Sequence, residues 1–291
     1  MKAVWALTWT EMIRKRVTFM TLAMTALFGI AFWFISDAII GDPDYREQDS
    51  LQSLLHQYTD GAMLLALGFF FGAFAVAFLA IFSSISAVTG EAEHGVLQSV
   101  LARPLPRWRW YLGRWLGFTV FGLLYAGLLY ALIVLIVAYR TGVSLDGLTI
   151  FKSYLLFGSV VPLLVTVTML GSIWLSPLGN GIGMTMLFAM SWLGGMIEKL
   201  LGSELLRNEA MRPLQTISGL ISLAMPADAL QQRMLAELLS LSDFQQLTNL
   251  NNHLGPFALA SIPSDSFLIY AAAYTLVLMA AGIWAIRKRD F

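Results

Sequence analysis

Charge and cysteine are what this sequence has least of. Among 291 residues, Asp, Glu, Lys and Arg make up 12%, hydrophobic residues make up 58%, and mean hydropathy is +0.72. A soluble domain carries roughly 25% charged residues. Half that share cannot coat a globular surface, which sets aside soluble, disordered and nucleic-acid-binding readings. With no cysteine there is no disulfide, no thiolate metal site and no cysteine nucleophile. The chain has no Gly-Lys pair, so it lacks the G-x-x-x-x-G-K-[ST] loop whose amides cradle phosphates, and it does not hydrolyse ATP by that route. Neither H-E-x-x-H nor its reverse occurs. The three histidines, His56, His94 and His253, are far apart, and Glu91, Glu93 and His94 without a second histidine make a poor metal site. Methionine, at 14 residues, reads as ordinary apolar filler.

What is present is a set of long runs free of Asp, Glu, Lys and Arg: 17–36, 61–90, 115–139, 153–197 and 266–286. A membrane-crossing helix needs about 20 such residues. The fourth run would be roughly 68 Å long as a single helix, about twice a bilayer. It contains Ser176-Pro177-Leu178-Gly179-Asn180-Gly181, a cluster of turn formers, and reads as two helices. The expectation is an all-α integral membrane protein of six transmembrane helices, at about 17–36, 61–88, 115–139, 153–175, 179–197 and 266–286. The six spans hold no Asp, Glu, Lys, Arg or His. Ionisable groups at depth mark relays and carriers, so proton relays, membrane metalloproteases and ion-coupled carriers are disfavoured. A route through the spans would be lined by weakly polar Ser83, Ser84, Ser86, Thr166, Thr168, Thr185 and Ser191, the same groups that serve as interhelical hydrogen bonders.

The first run follows Arg14-Lys15-Arg16 and continues to Asp37 without a convincing cleavage site, which reads as an uncleaved anchor. Lys and Arg accumulate on the cytoplasmic side of membrane proteins. With the N-terminus inside, the inner segments (1–16, 89–114, the turn near 177–181, and 287–291) hold eleven of the eighteen basic residues and only Glu11, Glu91, Glu93 and Asp290 as acids. The zero net charge therefore divides into +7 inside and −7 outside. The outer segments are 37–60, 140–152 and 198–265. Residues 2–16 form a candidate interfacial helix, with Trp5, Trp9, Met12 and Ile13 on one face, or else a plain extension of the first span. The outer loop, at 68 residues, is too long to lack structure. Its 213–227 stretch is too short to cross and fits a re-entrant or interfacial segment, and 227–247 reads as a helix with Leu230, Met234, Leu238 and Leu241 on one stripe. Glycines four apart at Gly68/Gly72, Gly113/Gly117 and Gly179/Gly183 are candidate close-packing points.

The inner loop 89–114 reads TGEAEHGVLQSVLARPLPRWRWYLGR. Carboxylates at its start favour a helix N-terminus. Val96, Leu97, Val100 and Leu101 make an apolar stripe, and Pro104 and Pro106 end the helix. Arg107, Trp108, Arg109, Trp110 and Arg114 follow, a cluster suited to the inner headgroup layer. The physics alone permits a solvated loop helix or a surface that docks into a partner's groove.

The stretch Glu91-Ala92-Glu93-His94-Gly95-Val96-Leu97-Gln98-Ser99-Val100-Leu101-Ala102-Arg103-Pro104-Leu105-Pro106-Arg107, with Gly113-Arg114 after it, resembles the E-x-E-x-G-T-L-x-x-L-L-x-x-P-I-x-R segment of ABC-2 type permeases. Val96, Val100 and Leu105 are conservative departures. The basic N-terminal helix with Glu11, the six spans, the large outer loop and the closing Arg287-Lys288-Arg289-Asp290-Phe291 follow the same outline. The resemblance implies one permease domain over 17–291 behind the helix 1–16, with a cytoplasmic coupling helix that docks on a separate ATPase. Glu91, Glu93, His94, Gly95, Leu97, Val100, Leu101, Pro104 and Arg107 are its candidate contact residues. It also implies two ATPase copies carrying ATP and Mg, a second permease copy, no cofactor or metal in this chain, a prokaryotic cytoplasmic membrane with both termini inside, and export or extraction of an amphipathic or peptide-like cargo. Two other readings stay open. One is an assembly or scaffolding protein whose inner loop binds a non-ATPase partner. The other is a membrane enzyme using Glu198, Glu204, Glu209, Asp228, Glu237, Asp243 or His253 of the outer loop.

Overall fold

The computed structural model describes residues 2–14, 16–40, 51–88, 90, 106–142, 146–202, 212–239 and 262–288. Among these the fold is all-α, with no strand. The helices are α1 (Lys2–Arg14), α2 (Arg16–Ile40), α3 (Leu51–Ser84), α4 (Arg107–Thr141), α5 (Gly147–Gly171), α6 (Pro177–Gly202), α7 (Arg212–Ala224), α8 (Ala227–Leu238) and α9 (Asp265–Lys288). Five of them, α2, the Tyr58–Ser84 part of α3, α4, α5 and α9, are long and apolar enough to cross a membrane, and the chain is a multi-pass membrane protein. Helix α6 has the length, 26 residues or about 39 Å. Asn180 and a series of glycines, Gly179, Gly181, Gly183, Gly194 and Gly195, interrupt its apolar stretch, and it is not among the five.

Long helices are the solution a membrane imposes, because lipid offers no hydrogen bonds to the backbone. Their ends carry local signals. Pro106 precedes α4 in an extended conformation (φ −64°, ψ 132°), and Gly142 ends α4 in the left-handed region (φ 69°), its amide donating to the Ala138 carbonyl. Asp146 caps α5 by accepting the Leu148 amide at 3.2 Å. The cluster of turn formers is displaced from its expected place. Helix α5 ends at Gly171 and α6 starts at Pro177, so the turn is 172–176 and Gly179, Asn180 and Gly181 occupy the first helical turn of α6. The reason is local: Pro is favoured at the first helical position, and the Ser176 hydroxyl takes the Gly179 amide as a cap.

Helices α3, α4 and α5 form the centre, with α2 against α3 and α4, and α9 outermost against α4 and α5. Helix α6 lies antiparallel to α3. Its first turn meets Ile85 at the end of α3, Phe188 meets Phe74, and Trp192 meets Phe70 and Phe74 farther back along α3. Much of α2 and α9 exposes large apolar side chains, including Phe19, Leu27, Phe34, Ile269 and Val277, as lipid-facing helices do.

Helix α1 folds back along α4. A straight continuation of α2 would put Trp9 roughly 24 Å inward of Thr25. Instead Thr25 bonds Tyr125 (2.5 Å) while the Trp9 ring packs on nearby Phe121 at 5.5 Å. Its buried face is Val4, Thr8 and Met12, whereas Trp5 and Ile13, expected to share the face of Met12, are exposed. The expected face is wrong because two polar contacts to α4, described below, set the rotation of α1.

The glycine pairs differ in use. A Cβ on Gly68 would lie 2.7 Å from Ile133 and 2.9 Å from Phe32, and one on Gly72 would lie 3.0 Å from Ile133. This pair brings α2, α3 and α4 together. A Cβ on Gly183 meets nothing within 4 Å. Gly68→Val is expected to destabilise the protein by about 1–3 kcal/mol through overpacking, and Gly183→Ala to stay within about 0.5 kcal/mol, as read from thermal unfolding in detergent.

Candidate functional site

Two polar constructions stand out in this apolar bundle. The first joins the N-terminal helix to the start of α4, on the side where the chain leaves for and returns from segment 91–105. Arg114 is 1% exposed. Its guanidinium pairs with the Glu11 carboxylate, reaches Thr8 Oγ1 at 3.4 Å and lies 5.0 Å from the centre of the Phe118 ring. The side chain was expected in the headgroup layer, and burial with a partner replaces that expectation. An ion of this kind loses its hydration on burial, a cost that the paired carboxylate offsets. One turn farther along α4, Gly117 lets Thr8 approach: a Cβ there would sit 2.6 Å from the Thr8 methyl. Trp110 is likewise 1% exposed instead of interfacial.

On the same side, Asn180 ties three helices. Its amide nitrogen donates to the Ile85 carbonyl (3.1 Å) and the Thr168 carbonyl (2.9 Å), the second from the end of α5. Asn180 is fully buried and fits because Gly171 beside it has no side chain. Ile85, Ala87 and Val88 carry the chain from α3 toward segment 91–105, and Ala87 and Val88 are fully buried. That exit is therefore anchored to α5 and α6.

The second construction is the hairpin of α7 and α8 at the other end of the bundle. Helix α7 packs on α6, and α8 lies against α5, α6 and α3. The last carbonyls of an α-helix have no partner within it. Here they receive side-chain hydroxyls: Tyr270 bonds Leu223 O (2.6 Å), Tyr274 bonds Ala224 O (2.7 Å) and Ser191 bonds Met225 O (2.5 Å). Ser218 adds a bond to the Gly194 carbonyl (2.8 Å). Asp228, at the start of α8, is 8% exposed, accepts from Gln232 at 2.5 Å, and packs against Gly195, where a Cβ has no room. Gln231 donates to the Phe69 carbonyl (2.9 Å), halfway along α3, while Tyr58 near the start of α3 donates to Leu239 O at the other end of α8 (2.5 Å). The tip of the hairpin is thus deep in the bundle and α8 climbs back out.

Of the expected site residues, Glu91, Glu93, His94, Gly95, Leu97, Val100, Leu101 and Pro104 lie outside the described residues. Arg107 opens α4 and is half-buried. The weakly polar residues do not line one channel. Ser83 and Ser84 bond Ala80 O, Thr185 bonds Gly181 O, Ser191 caps α7, and Thr166 bonds Pro162 O while accepting Trp115 Nε1 (2.8 Å). Of the outer-loop acids, Asp228 and Glu237 are engaged with Gln232 and Lys152. Glu198 ends the apolar part of α6, and Glu204, Glu209, Asp243 and His253 lie outside the described residues. Sequence reasoning missed Arg114 with Glu11 as a pair, although each belongs to the outline of the resemblance. It also missed Asn180, which read as a turn residue.

A family model described as "ABC-2 family transporter protein" matches residues 3–291. No curated protein matches the sequence.

The docking of α1 is testable on its own. Glu11→Ala leaves the Arg114 charge buried without its carboxylate. Hydrogen exchange of amides 2–14 is expected to rise at least tenfold, while α5 exchanges as before. The exchanged pair Glu11→Arg with Arg114→Glu is expected to recover part of the protection.

Proposed function

The chain belongs to the ABC-2 transporter family, and from that premise we propose that it is the six-span permease half of an ATP-driven transporter whose ATPases are separate chains. The family carries the coarse statement, that of a permease subunit of an ABC transporter. The finer reading rests on the segment between α3 and α4. In this reading Glu91, Glu93, His94, Gly95, Leu97, Val100, Leu101 and Pro104 belong to a coupling helix that inserts into a groove on the ATPase, and Arg107, at the start of α4, joins the contact. Two ATPases bind ATP with Mg and close on each other, and two permease chains, identical or related, receive the movement.

The observation that carries this reading is the double anchoring of the coupling segment. It leaves a buried end of α3 held by Asn180 to α5 and α6, and it returns into α4 beside the buried Arg114 and Glu11. A displacement of the segment therefore pulls on α1, α3, α4, α5 and α6 together. This suits a transmitter between ATP hydrolysis and the spans better than it suits a flexible loop.

Helix α6 is the sixth crossing. Its antiparallel course beside α3, from Ile85 to Phe70, supports this, as does the position of Leu239 at the opposite end of α3. The hairpin then enters from the outer side. The excess of Lys and Arg supports an orientation with both termini and the coupling segment in the cytoplasm, and the resemblance to the family supports the cytoplasmic membrane of a prokaryotic cell. A bundle with an apolar interior suits export or extraction of an amphipathic or peptide-like cargo.

The test is co-purification from the native host. In Glu91→Ala/Glu93→Ala the ATPase recovered with the permease is expected to fall about tenfold, with membrane insertion unchanged. ATPase recovery and transport equal to the parent protein would overturn the coupling role.

A further inference from the structure

Helices α4, α5, α8 and α9 enclose an open groove of about 390 Å³ lined by Trp115, Leu156, Pro162, Leu230, Ala272 and Leu276, among others. Along α9 it runs from Leu268 to Met279, roughly 16 Å at the helical rise. Its few polar groups are already satisfied. Ser159 bonds Leu156 O (2.7 Å), Thr275 bonds Ala271 O (2.9 Å), and Trp115 Nε1 bonds Thr166 (2.8 Å). Water in the groove would find no partners, and apolar space of this kind takes apolar matter.

Among the described residues, exposed charges gather at one end. Lys152 is one turn before Leu156 on α5. Arg233 and Glu237 continue the stripe of Leu230 on α8, and Asp265 is one turn before Leu268 on α9. Each helix that lines the hairpin end of the groove thus carries charge directly above its apolar lining. The four are linked in pairs, Lys152 to Glu237 at 3.4 Å and Arg233 to Asp265 at 2.8 Å. Lys152 and Asp265 are largely exposed, at 53% and 83% of their side-chain surface. Two cations and two anions alternate around a mouth that opens onto a single apolar slot.

We propose that this groove binds a zwitterionic glycerophospholipid from the membrane leaflet on the hairpin side. One acyl chain lies along α9 from Leu268 toward Met279. The phosphate faces Lys152 and Arg233, and the headgroup ammonium faces Glu237 and Asp265. The alternation of charge is what selects the headgroup: a purely anionic lipid would bring its phosphate to the cations and leave both carboxylates facing negative charge. The lipid joins α8 to α5 and α9 on the face where the hairpin enters the bundle, so it would also hold the hairpin in place.

The test uses the full chain, stripped of lipid in detergent and titrated in native mass spectrometry with phosphatidylethanolamine, phosphatidylglycerol and diacylglycerol. Ala272→Phe fills the groove from the exposed side of α9, and Lys152→Glu reverses one charge at the mouth. The parent protein is expected to bind one phosphatidylethanolamine more tightly than either other lipid. Both variants are expected to weaken that binding about tenfold, with unfolding temperatures near that of the parent. Equal binding by Ala272→Phe would overturn the groove as the site. Equal or tighter phosphatidylglycerol binding in the parent would overturn the headgroup assignment. A change of oligomeric state in Ala272→Phe, with lipid binding retained, would give the groove to a second copy of the chain and overturn the proposal. Lys152 is largely exposed, so Lys152→Glu keeps the test decisive if Ala272→Phe folds poorly.

Discussion

A backbone that ends inside an apolar bundle must find hydrogen bonds, and the hairpin of α7 and α8 meets that need with side-chain hydroxyls from its neighbours. Each unsatisfied carbonyl in hydrocarbon costs several kcal/mol. A hairpin that turns at Met225-Pro226 within the bundle exposes three such carbonyls in succession. Ser191, Tyr270 and Tyr274 supply the hydroxyls from two different helices. Gln231 on the Phe69 carbonyl and Asn180 between Ile85 and Thr168 add side-chain ties between neighbouring helices. Take these side chains away and the hairpin has no stable depth, and the end of α3 has no fixed relation to α5 and α6.

Helix α4 is the member around which the rest is arranged. Near one end Arg114 is paired with Glu11 of α1. Near the other, Arg140 is paired with Asp37 of α2 at 2.6 Å and lies 4.1 Å from the centre of the Trp33 ring, which stacks on Tyr139. The two arginines are roughly 39 Å apart along the helix, close to the thickness of a bilayer with its interfaces. Each pair fixes a helix from the first 40 residues to one end of the same post. Between them the approach is close enough that Gly68 and Gly72 of α3 receive Ile133 and Phe32 directly.

Most of the helical architecture was legible in the sequence because apolar length is a strong signal. The five most apolar runs became helices at nearly the expected places, extended by polar turns such as 107–114 that length counting assigns to a loop. The sixth expected span was harder, since the glycines that let α6 pack closely on α7 and α8 also dilute its hydropathy. The hairpin was anticipated from a short apolar stretch bounded by prolines at Pro213 and Pro226. Its capping by Tyr270 and Tyr274 was not, because partners 47 and 50 residues away leave no local pattern. The face of α1 misled for a similar reason. Periodicity favoured Trp5 and Ile13, but Thr8, packed on Gly117, and Glu11, paired with Arg114, decided the rotation. The family was legible from about 25 residues around the Glu91–Arg114 segment, and a match over 3–291 bears that resemblance out.

The central claim is that α6 crosses, so that the coupling segment and the hairpin loop face opposite sides of the membrane. The absence of cysteine makes this directly measurable. Single replacements Gln98→Cys and Asn251→Cys can be treated in intact cells with a membrane-impermeant maleimide. The account predicts that position 251 labels from outside and position 98 labels only after the membrane is permeabilised. Labelling of both positions only after permeabilisation would mean five crossings, with the hairpin on the cytoplasmic side, and would contradict it.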